Sequence, residues 1–306
     1  RDVTESHPGV QPRKRPGDGH RQVVRGPGVL RFPLSNRRDA ETEKAGIVTG
    51  QPSLDRAQVE KIVVDHLREF GMRYGTGRPA DDQSRVGYSA FIQYLVNHGY
   101  AVLAVNNRGS SGYGKTFYTM DDRNHGDKDL MDCVYGKKHM QALDYIDAGK
   151  IGIIGGSYGG YMTMAAMTFK PEEFRVGVDI FGVTNWLRTL RSVPPYWESF
   201  RKALYAEMGD PFSSDSVRLY NISPLFHADK IRNPVMVLQG ANDVRVLQAE
   251  SDDIIAAMKK NNVPVEYIVF PDEGHGFVKK ENEIRGYGAV LAFLDKHLKG
   301  VAPAAY

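Results

Sequence analysis

The chain holds one cysteine, Cys133, in 306 residues. An internal disulfide is thereby excluded, and the scarcity fits a reducing compartment such as the cytoplasm. Cys133 falls in a helical stretch and reads as a packing residue. Long apolar runs are missing: none reaches the ~20 residues a membrane-spanning helix needs, and no charged-then-apolar leader is visible. No membrane partner is expected. The nine histidines form no H-E-x-x-H pair and no other zinc spacing, so no metal or organic cofactor is called for. Blade-length repeats are lacking too. A large excess of one charge is also missing, with 40 Lys+Arg against 37 Asp+Glu, a net of +3. That balance gives no general reason to expect a nucleic-acid partner.

Against these absences stands one dense signal. Residues 151–160 read Ile-Gly-Ile-Ile-Gly-Gly-Ser-Tyr-Gly-Gly. An apolar strand pattern climbs into Gly155-Gly156-Ser157-Tyr158-Gly159, which fits G-x-S-x-G, and a helix-forming segment from Tyr161 to Phe169 follows. Strand, tight turn and helix around a serine is the context of a nucleophile elbow. Small neighbours are needed because the strained turn leaves no room for side chains beside the flanking strand and helix.

A serine hydroxyl needs a base, and the base needs an orienting carboxylate. Both follow in the order Ser, Asp, His. Pro234 to Gly240 is a buried-strand pattern, and Asp243 stands just past its carboxyl end. A helix over about Leu247 to Lys260 and a strand over Val263 to Phe270 then lead to His275, between Gly274 and Gly276. Asp243 as a simple helix cap is the bland alternative. Asp272 is the rival carboxylate, but it lies too close in the chain to His275 to orient the ring easily. Such an apparatus attacks an ester or amide carbonyl and passes through an acyl-enzyme that water releases.

With these residues in hand, positions 86–299 resemble the catalytic domain of the prolyl oligopeptidase family, which includes acylaminoacyl and dipeptidyl peptidases. The resemblance is carried by Gly99 to Gly114 (GYAVLAVNNRGSSGYG), the Gly-Gly-Ser-Tyr-Gly-Gly elbow, Ser223-Pro224, Gly240 to Val246 (GANDVRV) and Glu273 to Phe277 (EGHGF). It implies Ser157, Asp243 and His275 as the triad and the backbone N–H of Tyr158 as one oxyanion donor. It also implies that Arg245 can hold a substrate carbonyl; a salt bridge on the rim of the site is the competing reading of that arginine. Leu247 departs from the proline many relatives carry there.

The first 85 residues differ from the rest. Only 27% of them are apolar against 41% for the chain, and they hold 16 of the 40 basic but 12 of the 37 acidic residues. Their net charge is +4, against −1 for the remainder. Glycine and proline recur, and only Ser53 to Phe70 reads as a helix, capped by Ser53. Relatives carry the first strands of the sheet here, and a His-Gly-Gly-Pro type loop that gives a second oxyanion donor. This chain has Gly75-Thr-Gly-Arg-Pro-Ala-Asp-Asp82 instead. Three readings stand: a frameshifted or wrongly joined start, a basic arm, or a divergent but folded strand region. On the first, a weakened enzyme with a sheet edge hidden by homodimerisation is expected.

The remaining map alternates strands (100–105, 151–154, 175–181, 235–238, 265–270) with helices, among them 128–146 and 281–298. This predicts an α/β-hydrolase fold: a doubly wound, mostly parallel sheet with a small helical cap. Residues 300–306 form a tail. The cap is placed at Asn185 to Asp210, where Trp186, Tyr196 and Trp197 either line a substrate pocket or pack onto the sheet. At this length no gating propeller fits, so an open site taking small esters or short peptides is expected. A serine esterase acting on carboxylic esters leads; a peptidase of the resembled family and a catalytically impaired binding protein are the alternatives.

Overall fold

The computed structural model of the protein describes residues 61–67 and 88–301. Within them lies a six-stranded sheet of order β2-β1-β3-β4-β5-β6, every pair parallel. The strands are β1 (Lys61–Leu67), β2 (Tyr100–Ala104), β3 (Ile151–Gly156), β4 (Gly177–Ile180), β5 (Val235–Gly240) and β6 (Val265–Phe270). The principal helices are α1 (Ala90–Asn97), the short α2 (Lys115–Tyr118), α3 (Lys128–Gln141), α4 (Tyr158–Phe169), α5 (Trp186–Ser192), α6 (Glu198–Met208), α7 (Asp215–Asn221), α8 (Gln248–Lys260) and α9 (Lys280–Leu294).

Alternate residues of each strand supply opposite faces, as a pleated strand dictates. Ala101, Leu103, Ile153, Val235 and Val237 join Leu130 and Val134 of α3, the Met162 to Met167 run of α4, and Ile254 and Met258 of α8 in one core cluster. Tyr100, Val102, Ile154, Val178, Met236 and Leu238 face Phe91 and Leu95 of α1 and Val290, Leu291 and Leu294 of α9 in the other. Apolar side chains at both faces explain why the central strands read as continuous apolar runs rather than alternating ones. Cys133 is buried in the first cluster. None of the described helices is long and apolar enough to cross a membrane.

The helix expected over Ser53 to Phe70 is not what forms. Lys61–Leu67 is a strand, paired in parallel with β2 on one side (Val63 opposite Val102) and β3 on the other (Val63 opposite Gly152). Three consecutive β-branched residues, Ile62-Val63-Val64, suit an extended backbone, and pairing on both sides decides a segment whose apolar spacing was ambiguous. The sheet therefore draws an interior strand from the atypical first 85 residues. The rest of the expected helix and the Gly75 to Asp82 stretch lie outside the described residues. The helix expected to reach Ile146 stops at Gln141.

Candidate active site

The chain leaves β3 at Gly156 and enters α4 at Tyr158, so Ser157 alone makes the turn. Its backbone sits at φ 56° and ψ −113°, a conformation that costs a non-glycine residue on the order of 1–3 kcal/mol. Its N–H donates to the Ile180 carbonyl at 2.8 Å, and its carbonyl accepts from the Tyr161 N–H at 3.0 Å, which holds the turn from both sides. Two of the glycines around it are required by space. A Cβ on Gly155 would lie 2.3 Å from the Gly159 carbonyl oxygen, and one on Gly160 would lie 2.5 Å from the Gly182 Cα.

Asp243 follows β5, and His275 stands in the turn after β6. Together with the end of β3, these are carboxyl ends of strands in one parallel sheet, so the three side chains meet at one edge. His275 Nε2 lies 2.8 Å from Ser157 Oγ, and His275 Nδ1 lies 2.7 Å from Asp243 Oδ2. Ser157 and Asp243 are buried, while the imidazole keeps a narrow solvent face. Asp243 does not cap α8, which has Leu247 at its N-cap and no side-chain cap bond. Its other oxygen, Oδ1, accepts the N–H groups of Arg245 and Val246, each at 2.8 Å, closing the turn that precedes α8. One carboxylate thus orients the histidine with one oxygen and is itself fixed by the other.

The rival carboxylate is engaged elsewhere. Asp272 pairs with Lys279 and accepts from Asn282 Nδ2 at 3.0 Å, and Lys279 holds its carboxyl below the usual range. Its neighbour Glu273 is buried and accepts the N–H groups of Val278 and Lys279, both at 2.9 Å, and Asn282 Nδ2 at 2.8 Å. That carboxylate shapes the histidine turn. Gly240 must be glycine for the turn to close on β5, since a Cβ there would meet the Gly274 carbonyl oxygen at 2.1 Å.

Tyr158 opens α4 immediately after the serine, and its hydroxyl donates to buried Asp129 Oδ2 at 2.6 Å. The aromatic residues expected over the site divide. Trp186 is fully buried, its ring 5.0 Å from that of Tyr161 and 6.1 Å from that of Tyr158. It packs the helical insertion at residues 185–210 onto α4. As the first residue of α5 it points into the core, where an indole gains most from leaving water. Tyr196 is 79% exposed, its ring edge-on to Trp197. Trp197, with Thr189, Val193, Phe200, Leu204 and Arg245, walls a largely apolar recess beside the Asp243 turn. Among the described residues no carboxylate forms a salt bridge with Arg245.

Glu250 and Asp179 carry no sequence signal of a role, yet both are buried beneath this edge. Glu250 accepts the N–H groups of Thr184 at 3.1 Å and Asn185 at 2.6 Å and so anchors the insertion; burial pushes its carboxyl up to about 7. Asp179, on β4, lies against Gly160 and Gly182, and burial pushes it to about 7 as well.

A parallel sheet wound on both faces, with a serine elbow, a histidine and an aspartate at its carboxyl edge, defines the α/β-hydrolase class. The comparisons with known proteins narrow this. The chain belongs to the prolyl oligopeptidase family, whose pattern matches residues 86–301. It is 46% identical over 223 residues to dipeptidyl aminopeptidase BIII of Pseudoxanthomonas mexicana, covering 71% of this chain and 32% of that protein. It is 41% identical over 216 residues to dipeptidyl peptidase family member 6 of Caenorhabditis elegans, covering 70% and 29%. Among solved structures, a puromycin-hydrolyzing peptidase of Mycobacterium tuberculosis is 27% identical with a TM-score of 0.70, covering 80% of this chain and 36% of that one. The matched region thus makes up about a third of the length of these relatives.

Proposed function

We propose that this domain is a serine peptidase that cleaves amide bonds in short peptides through an acyl-enzyme. The observation that carries the reading is the continuous relay from Ser157 Oγ to His275 Nε2 at 2.8 Å and from His275 Nδ1 to Asp243 Oδ2 at 2.7 Å. His275 takes the serine proton as Oγ attacks the carbonyl carbon. Asp243 stabilises the imidazolium and fixes its tautomer. The proton then passes from His275 to the leaving amine, and water repeats the sequence on the acyl-enzyme. The N–H of Tyr158 donates to the oxyanion, a contribution on the order of 3 kcal/mol to the transition state. No step requires a metal or an organic cofactor.

Peptides rank above carboxylic esters, reversing the order that the residues alone suggested. The similar proteins are peptidases by name, and Arg245, without a carboxylate partner among the described residues, is available to a substrate carbonyl. The apolar recess beside it suits an apolar side chain.

The test sets dipeptidyl and acylaminoacyl p-nitroanilides beside p-nitrophenyl butyrate, with Ser157→Ala as control. Anilide turnover abolished in the variant is expected, and Arg245→Met should raise KM for the anilides more than for the ester. Ester turnover with negligible anilide cleavage would restore the esterase reading. No turnover and no labelling of Ser157 by a fluorophosphonate would leave an impaired binding protein.

A further inference from the structure

Among the described residues, one group of metal-ligating side chains converges: Asp121, His125 and Glu207, whose ligand atoms all lie within 4.8 Å of one another. Asp121 and His125 lie in the loop between α2 and α3, and Glu207 lies near the end of α6. All three are buried.

The distances within the trio are the informative feature. His125 Nε2 is 3.3 Å from Glu207 Oε1 and 3.6 Å from Asp121 Oδ2. A ring N–H donating to a carboxylate closes to about 2.7–2.9 Å, and His275 in this molecule does so, at 2.7 Å to Asp243. Around a tetrahedral ion with bonds of about 2.1 Å, neighbouring ligand atoms stand about 3.4 Å apart. The two measured separations bracket that edge. One nitrogen and two oxygen donors suit a first-row transition ion, whereas calcium and magnesium take oxygen alone.

We propose that Asp121, His125 and Glu207 bind one divalent transition-metal ion, with zinc as the best fit, in a structural site that ties the helical insertion to the serine turn. The His125 ring meets the Tyr158 ring edge-on, with centroids 5.7 Å apart, and Tyr158 follows the serine directly. Glu207 lies in the last turn of the helix whose Phe200 and Leu204 wall the recess. The site has no part in bond cleavage; it sets how firmly the recess is held over the elbow.

The experiment uses the full chain, stripped with EDTA and titrated with Zn2+ and, separately, Mg2+ by calorimetry, with metal content and melting temperature measured in parallel. One zinc per chain, a melting temperature raised by several degrees and no comparable magnesium binding are expected. Asp121→Asn and Glu207→Gln should each weaken zinc binding by about tenfold or more. X-ray absorption on the wild-type zinc complex should find one imidazole and a majority of oxygen ligands, which decides the matter even if the variants fold poorly. Absence of stoichiometric zinc uptake by the wild-type chain, or a shell of several imidazoles, overturns the proposal. Uptake unchanged in both variants overturns it too, and the trio is then a hydrogen-bonded clip.

Discussion

Glu250 reaches from α8 to the backbone of Asn185, accepting its N–H at 2.6 Å, and so joins the helix after the Asp243 strand to the first turn of the helical insertion. The same carboxylate accepts the Thr184 N–H at 3.1 Å, and Asn185 in turn caps α5 by accepting the Arg188 N–H at 3.2 Å. One buried side chain thus holds the start of the insertion that walls the recess, beside the Trp186 N–H bond to Ser223 Oγ. Replacing Glu250 with alanine leaves two buried backbone donors without acceptors, each worth about 1–3 kcal/mol. Glu250→Ala is expected to lose on the order of 3 kcal/mol in urea unfolding and to raise KM more than it lowers kcat. Glu250→Gln, which keeps an acceptor oxygen, should lose less.

Asp243 and Asp272 give opposite predictions. Asp243→Asn removes the acceptor that fixes the His275 tautomer, and kcat on an anilide should fall by roughly 10⁴-fold with the melting temperature little changed. Asp272→Asn disturbs a surface pair with Lys279 and should leave kcat within about twofold, since such pairs contribute little. Equal losses in the two variants would show that the carboxylates are wrongly assigned.

The two glycines before the serine are not equivalent. A Cβ on Gly155 would sit 2.3 Å from a backbone oxygen, whereas the nearest atom to a Cβ on Gly156 is the Ile180 carbonyl oxygen at 3.7 Å. Gly155→Ala must move the elbow and should lose on the order of 3 kcal/mol or more. Gly156→Ala should stay within about 1 kcal/mol. Chemical denaturation of the pair checks the contrast.

Burial raises Asp179 from 3.8 in the free side chain to about 7. The folded chain therefore holds a proton there that the unfolded chain has released, over the window between those values. The stability this group contributes is fully present below about pH 4 and is lost as pH rises through 7. Asp179→Asn removes that titration. The stability of the variant relative to wild type should climb from pH 4 to 7 and level off above, by a few kcal/mol on the order of the shift. Glu250, near 7 and coupled to Asp179, remains in both chains, so the difference between the two curves is the quantity to measure. A flat difference across the window would mean that Asp179 ionises in the folded protein as it does in water.

Much of this protein is local and so was legible in its residues. The apolar run, the glycines and Ser157 are contiguous, and strand–turn–helix is decided by neighbours in the chain. Asp243 and His275 follow recognisable strands, so a parallel sheet brings them to one edge wherever its order places them. The tertiary structure decided what depends on partners distant in sequence. Lys61–Leu67 reads as a poor helix until β2 and β3 flank it as a strand. Trp186 and Trp197, eleven residues apart in one aromatic stretch, part company because one begins α5 against the core and the other sits on a turn beside the recess. Glu250 and Glu207 show nothing in sequence of their anchoring and ligating positions, because their partners lie about 65 and 82 residues away and only packing brings them within reach. Chain neighbours set the elbow; the burial of polar groups against distant elements set the insertion that covers it.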